Sequence, residues 1–129
     1  MSILAIKRLA VVLLAFCGVL FVGSGFLFWS YGYLSLRVAF ADDQTQIFDE
    51  MRTQALQSTA PPDIARSLEY VVNYYASGTK QLAGSELDRV VERHHTAVVR
   101  DIIEHLRRTT GQDLGESPEP WIQKYSARR

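Results

Sequence analysis

The sequence predicts an all-α protein: one N-terminal transmembrane helix, then a small bundle of three helices plus a short C-terminal helix. Three observations predict it. Leu9 to Trp29 is an uncharged run of 21 residues. Beyond it, apolar residues recur at helical spacing in three segments. No strand-like alternation of four or more residues is present.

The apolar run sets the location. A helix rises about 1.5 Å per residue, so 21 residues reach roughly 30 Å, the thickness of a bilayer's hydrocarbon core. The predicted organisation is a cytoplasmic tail over 1–8, a transmembrane signal-anchor helix over 9–31 and an extracytoplasmic helical domain over 42–126. Lys7, Arg8 and the terminal amine precede the run, and Arg37, Asp42 and Asp43 are the first charges after it. Positive flanks stay in the cytoplasm, which places the tail inside and the domain outside. Trp29, Tyr31 and Tyr33 mark the outer headgroup region, which amphipathic rings favour. The competing reading is a signal peptide cleaved after Ala41, since Ala39-Phe40-Ala41 has the small-x-small form. The apolar stretch is too long for a signal core, and Arg37 separates it from Ala41, so the uncleaved anchor is favoured. Gly18, Gly25 and Gly32 are seven apart and share a helix face. Small residues let membrane helices approach closely, so this face is the candidate for self-association into a homodimer.

Residues 35–41 carry no turn signal, so the membrane helix either runs on or pauses near Gly32. From about Asp43 to Gln57, Ile47, Phe48, Met51, Ala55 and Leu56 form an apolar stripe. Gln44, Gln46, Asp49, Glu50, Arg52 and Gln54 supply its wet side. Pro61-Pro62 ends that helix and opens the next, which is expected from about Pro62 to Ala76 with Ile64, Leu68, Val71 and Tyr75 inward. Ser85 with Asp88 resembles a capping box and starts a long helix ending at Gly111. Its inner stripe is Leu87, Val91, Val98 and Ile102, broadened by Val90 and Leu106. Val99 and Ile103 widen the arc, as expected of a helix that packs on more than one neighbour. Ser117-Pro118 opens the last helix, which is expected to fold back and cap the core with Trp121.

Residues of about 100–125 resemble a segment that closes helical repeat units in HEAT-like and uncharacterised bacterial proteins. Its form is Leu-Arg-x-x-Thr-Gly-x-Asp-x-Gly-x-x-Pro-x-x-Trp. Leu106, Arg107, Thr110, Gly111, Asp113, Gly115, Pro118 and Trp121 match it, while Leu114 and Ser117 depart from it. The match covers about a fifth of the chain. It implies a helix followed by a structured tail and no catalysis. One helix pair is too little for a repeat array, which needs about three units.

Composition narrows the function classes. Residues 42–129 hold 14 acidic and 11 basic side chains, with no basic stripe of the kind that binds nucleic acid. The single cysteine, Cys17, lies in the apolar run, so no disulfide within the chain is available. Neither a phosphate-binding glycine loop nor a nucleophile elbow occurs. No cofactor is implied. His94, Asp101 and His105 lie at i, i+7 and i+11 on one helix face and are the candidate metal ligands, with Glu69 or Asn73 as additional donors. Their imidazoles are equally candidates for a response to pH. Tyr70, Tyr74, Tyr75 and Trp121 are the candidate contact residues. Tyr74 and Tyr75 are adjacent and diverge by about 100°, so one core cannot hold all the tyrosines. The expected class is a non-enzymatic interaction protein whose partners are the lipid bilayer and another membrane or extracytoplasmic protein. The alternative is a helical sensor or ligand-binding module built on the histidines.

Overall fold

The computed structural model describes residues 3–74 and 80–126. It contains four helices and no strand among the described residues: α1 (Ile3–Gln57), α2 (Pro61–Tyr74), α3 (Glu86–Thr110) and α4 (Pro118–Tyr125). The chain divides into two compact units, Met1–Leu36 and Arg37–Arg129.

The first unit is helical throughout its described residues. Its apolar side chains face outward along its length; Phe21 and Phe28, for example, are each 83% exposed. This is the one helix among the described residues long and apolar enough to cross a membrane, and none of its most apolar stretch is buried by protein. The helix does not pause near Gly32: Gly32 and residues 35–41 are all helical.

The second unit builds a closed core. Ala41, Phe48 and Ala55 from α1 meet Ile64, Leu68 and Val71 from α2. Val91, Val98, Ile102, Ile103 and Leu106 from α3 and Trp121 from α4 complete it. The α1 stripe is Ala41, Gln44, Phe48, Met51 and Ala55, a three-four alternation that keeps one seam facing α2 and α3. Gln44 was expected on the wet side and is instead buried, because it occupies a seam position one turn before Phe48. Leu56 was expected inside and is exposed, one residue past the seam. On α3, Val90 is likewise exposed and Ile103 is fully buried. The wide apolar arc of α3 packs on both α2 and α4, as its two-sided pattern requires.

Local chemistry fixes the helix ends. Ser85 Oγ accepts from the Asp88 amide at 3.2 Å, and the Asp88 carboxylate accepts from the Gly84 amide at 2.9 Å. A glutamate would reach back to the cap residue itself. At the far end Gly111 takes φ 67°, and its amide donates to the Arg107 carbonyl at 3.0 Å. That left-handed turn is strained for any residue with a Cβ. The expected end of α2 at Ala76 lies outside the described residues.

The segment after α3 is a hydrogen-bonded turn. Arg107 Nε donates to Asp113 Oδ1 at 3.1 Å, and the same oxygen accepts from the Gly115 amide at 3.0 Å. Arg107 also reaches Glu116 Oε1 at 3.0 Å. The Gly115 carbonyl accepts from Trp121 Nε1 at 3.0 Å. Arg107, Gly111, Asp113, Gly115 and Trp121 of the C-terminal pattern therefore act together. The first four shape the turn, and its last carbonyl receives the indole that α4 delivers to the core.

Candidate functional site

Three histidines lie on α3, and each faces a different segment. His94 Nε2 stands 3.2 Å from Asp49 Oδ1 of α1, too poorly aligned for a hydrogen bond. His95 Nε2 lies 3.2 Å from the Val71 carbonyl of α2, with its ring edge-on to Phe48 at 5.2 Å. His105 Nε2 lies 2.9 Å from the Ser58 carbonyl, in the turn between α1 and α2. A ring nitrogen facing a carbonyl must carry the proton, so the Nε2 of His95 and of His105 is a donor. His95 and His105 thus tie α3 to α2 and to the turn that precedes it.

The structure does not bring the candidate metal ligands together. His94, Asp101 and His105 do not converge. Seven residues of helix separate His94 from Asp101 by about 10 Å along the axis, so a shared face stacks them in a column. Asp101 Oδ2 is engaged by the Arg52 guanidinium at 2.9 Å, and His105 Nε2 is turned toward Ser58. The donors suggested from α2 do not join them: Glu69 pairs with the Ser126 hydroxyl, and Asn73 lies on a surface groove with Arg66 and Tyr70. Among the described residues no group of three His, Cys, Asp or Glu side chains is placed to hold a metal ion.

Sequence reasoning passed over His95. It is four residues beyond Val91 and three before Val98, so it lies within the inner stripe of α3. That spacing was the available signal. Burial lowers its pKa, opposed by the Val71 carbonyl and by Glu92.

The tyrosines form a layered surface beside α2. The rings of Tyr70 and Tyr74 stack at 5.6 Å, and Tyr74 meets Phe48 edge-on at 6.2 Å. Tyr74 therefore roots the layer in the core, while Tyr70 is 46% exposed. Lys80 Nζ donates to the Tyr74 hydroxyl at 2.9 Å and stands 3.7 Å from Asp43. The hydroxyl bond, with the nearby carboxylate, raises the lysine pKa. Tyr75 lies outside the described residues. Trp121 is removed from the contact set: it is fully buried, because the turn at Gly115 presents a carbonyl to its one polar atom and the core takes the rest.

Gly18, Gly25 and Gly32 lie on the exposed apolar helix, with open space where a Cβ would stand. No family model, curated protein or solved structure matches this chain.

Proposed function

We propose that the chain is a single-pass membrane protein with residues 1–8 in the cytoplasm and the helical unit on the opposite side. There it serves as a non-enzymatic interaction protein: an accessory subunit, assembly factor or scaffold. The observation that carries this reading is the outward-facing apolar run Leu9–Trp29 on a helix whose later residues, Ala41, Phe48 and Ala55, enter a closed core. Water would make that run strongly unfavourable, and a bilayer accommodates it. Lys7 and Arg8 before the run, against Arg37 after it, favour the tail-inside orientation.

An uncleaved chain fits the packing of the second unit. A cut after Ala41 would sever α1 within its helical run and remove Arg37, whose carbonyl receives the buried Gln81 side chain. The C-terminal segment is read as a closure of the helical unit rather than as a site, in line with its resemblance. Tyr70 is the candidate contact residue, since it is exposed, rigidly stacked and beside the Arg66–Glu69–Asn73 groove.

The test is mild detergent extraction of a C-terminally tagged chain, with mass spectrometry of what copurifies. A partner at fixed ratio, lost in Tyr70→Ala while the fold is kept, is the expected result. Recovery of the chain alone at several extraction strengths would sink the adaptor reading.

A further inference from the structure

The first unit carries a repeat that a single helix leaves unused. Val11, Leu14, Gly18, Phe21, Gly25, Phe28 and Gly32 follow one another at alternating steps of three and four residues. That spacing is a seven-residue repeat, which keeps one seam between two helices that wind around each other left-handedly. From Gly18 onward the seam alternates the smallest residue with one of the largest. Phe21 and Phe28 are each 83% exposed, and nothing stands within 4 Å of a Cβ placed on Gly18, Gly25 or Gly32. Each ring is a projecting knob, three residues after one hollow and four before the next.

Exposure alone does not select this face, since every side of the run is apolar and outward. Leu13, Leu20, Leu27 and Leu34 also recur every seven residues, on another side. Lipid tails are as apolar as leucine, so that ridge gains little by exchanging lipid for protein. Pairing inside a bilayer is driven by close packing, which small residues permit. The Phe–Gly face has both parts of such a fit: rings that project, and hollows at the same spacing to receive them. An identical face is therefore its complement. Two phenylalanines from each of two copies would bury roughly 600–1,000 Å². Val11 and Leu14 from each copy add to this, which reaches the about 1,000 Å² that a specific interface needs. Ser24 lies three residues after Phe21 and four before Phe28, so its hydroxyl borders the seam. Serines in that position hydrogen-bond across to a neighbouring membrane helix.

We propose that a second copy of this chain covers this face. The two apolar runs lie side by side and parallel in the bilayer, with Phe21 of each between Gly18 and Gly25 of the other, and Phe28 between Gly25 and Gly32. This inference rests on the reading of Leu9–Trp29 as a span, which gives both copies the same orientation.

The experiment uses the full chain in vesicles of phosphatidylcholine and phosphatidylglycerol. In a Cys17→Ser background, single cysteines replace Val11 or Leu14 on the seam, or Leu13 or Leu20 on the leucine ridge. Oxidation should link the Val11→Cys and Leu14→Cys chains into dimers far more than the Leu13→Cys and Leu20→Cys chains. Energy transfer between donor-labelled and acceptor-labelled chains, followed as lipid is added, reports the strength of pairing. Gly25→Leu should weaken pairing about tenfold or more. Gly23→Leu is the same change about 200° away around the helix, and it should leave pairing unaltered. Open space surrounds both glycines, so neither leucine clashes within its own helix. Cross-links that peak at Leu13 and Leu20, or equal damage from Gly23→Leu and Gly25→Leu, would overturn the assigned face. A chain that resists carbonate extraction yet shows no energy transfer beyond random mixing is a monomeric span: the pairing falls and the span stands. Release by carbonate would remove the span reading and this inference together.

Discussion

Burial of the His95 ring against Phe48 disfavours its charged form and lowers its pKa below the ordinary 6.5. The unfolded chain then binds a proton at a pH where the folded one does not, so stability rises with pH in that window. The contribution is complete above 6.5 and is lost as pH falls from there through the folded value. Thermal unfolding of the full chain in detergent micelles, followed by tryptophan fluorescence, should show a midpoint that drops on acidification below 6.5. His95→Asn should flatten that dependence. An unchanged slope in the variant would assign the acid sensitivity elsewhere. Trp121 is the second residue on which the unit depends, since its whole side chain is buried and its Nε1 is satisfied by Gly115. Trp121→Ala should cost about 3–5 kcal/mol, a large share of a small domain's stability. Trp121→Phe keeps most of the packing and should cost markedly less. The two residues differ in how legible they were. Trp121 was foreseen as a core cap from the Ser117-Pro118 opening, yet also entered the contact set, because sequence does not reveal the carbonyl that lets an indole be fully buried. His95 is less legible, because it stands outside the i, i+7 and i+11 row of His94, Asp101 and His105 and its partner, the Val71 carbonyl, lies on another helix.

At the scale of elements, the helix ends were the most readable feature, because each end needs partners for its unpaired backbone groups and only a few residues supply them. Ser85, Gly111 and Pro118 marked the ends of α3 and the start of α4 where the structure places them. Ser85→Ala should cost about 1 kcal/mol by releasing the Asp88 amide. Gly111→Ala should cost about 1 kcal/mol through its left-handed backbone, even though open space surrounds the added methyl. Both are checked by the same thermal melts, with full helicity retained at low temperature. The turn after α3 also has a charge dependence. Asp113 has a lowered pKa, first through the Gly115 amide and then through Arg107, so its support is present at neutral pH and fades with acid. What the sequence could not yield was the seam of α1. Gln44 looks polar and was assigned to water, whereas the register of Ala41, Phe48 and Ala55 carries it inward. Such register is set by the partner helices, and a single helix's pattern does not contain them. The same limit applies to the row of His94, Asp101 and His105: the residues that engage Asp101 and His105, Arg52 and Ser58, come from other segments.

At the scale of the whole molecule, one helix carries two different apolar patterns. Through the first unit it is apolar all round, the pattern of a helix surrounded by lipid. From Ala41 to Ala55 the apolar residues narrow to a seam. The change of pattern was legible in sequence, and the continuity of the helix through residues 35–41 was left open only because nothing there signals a turn. The proposed orientation rests on few charges and is correspondingly easy to perturb. Lys7 and Arg8 are the basic pair next to the span, and Arg37 is the single basic residue close to its other end. Basic residues near a span resist transfer across the membrane, whereas acidic ones contribute little to orientation. Replacing the pair, Lys7→Glu with Arg8→Glu, leaves Arg37 as the dominant flank and reverses the bias. In sealed inverted vesicles a C-terminal tag on the natural chain should be protected from added protease. A measurable fraction of the double variant should become sensitive while the vesicles stay intact. Digestion of the natural chain's tag under those conditions would reverse the assigned orientation. An Arg37→Gln replacement should then restore protection to part of the double variant, because it removes the remaining positive flank that opposes translocation of the helical unit.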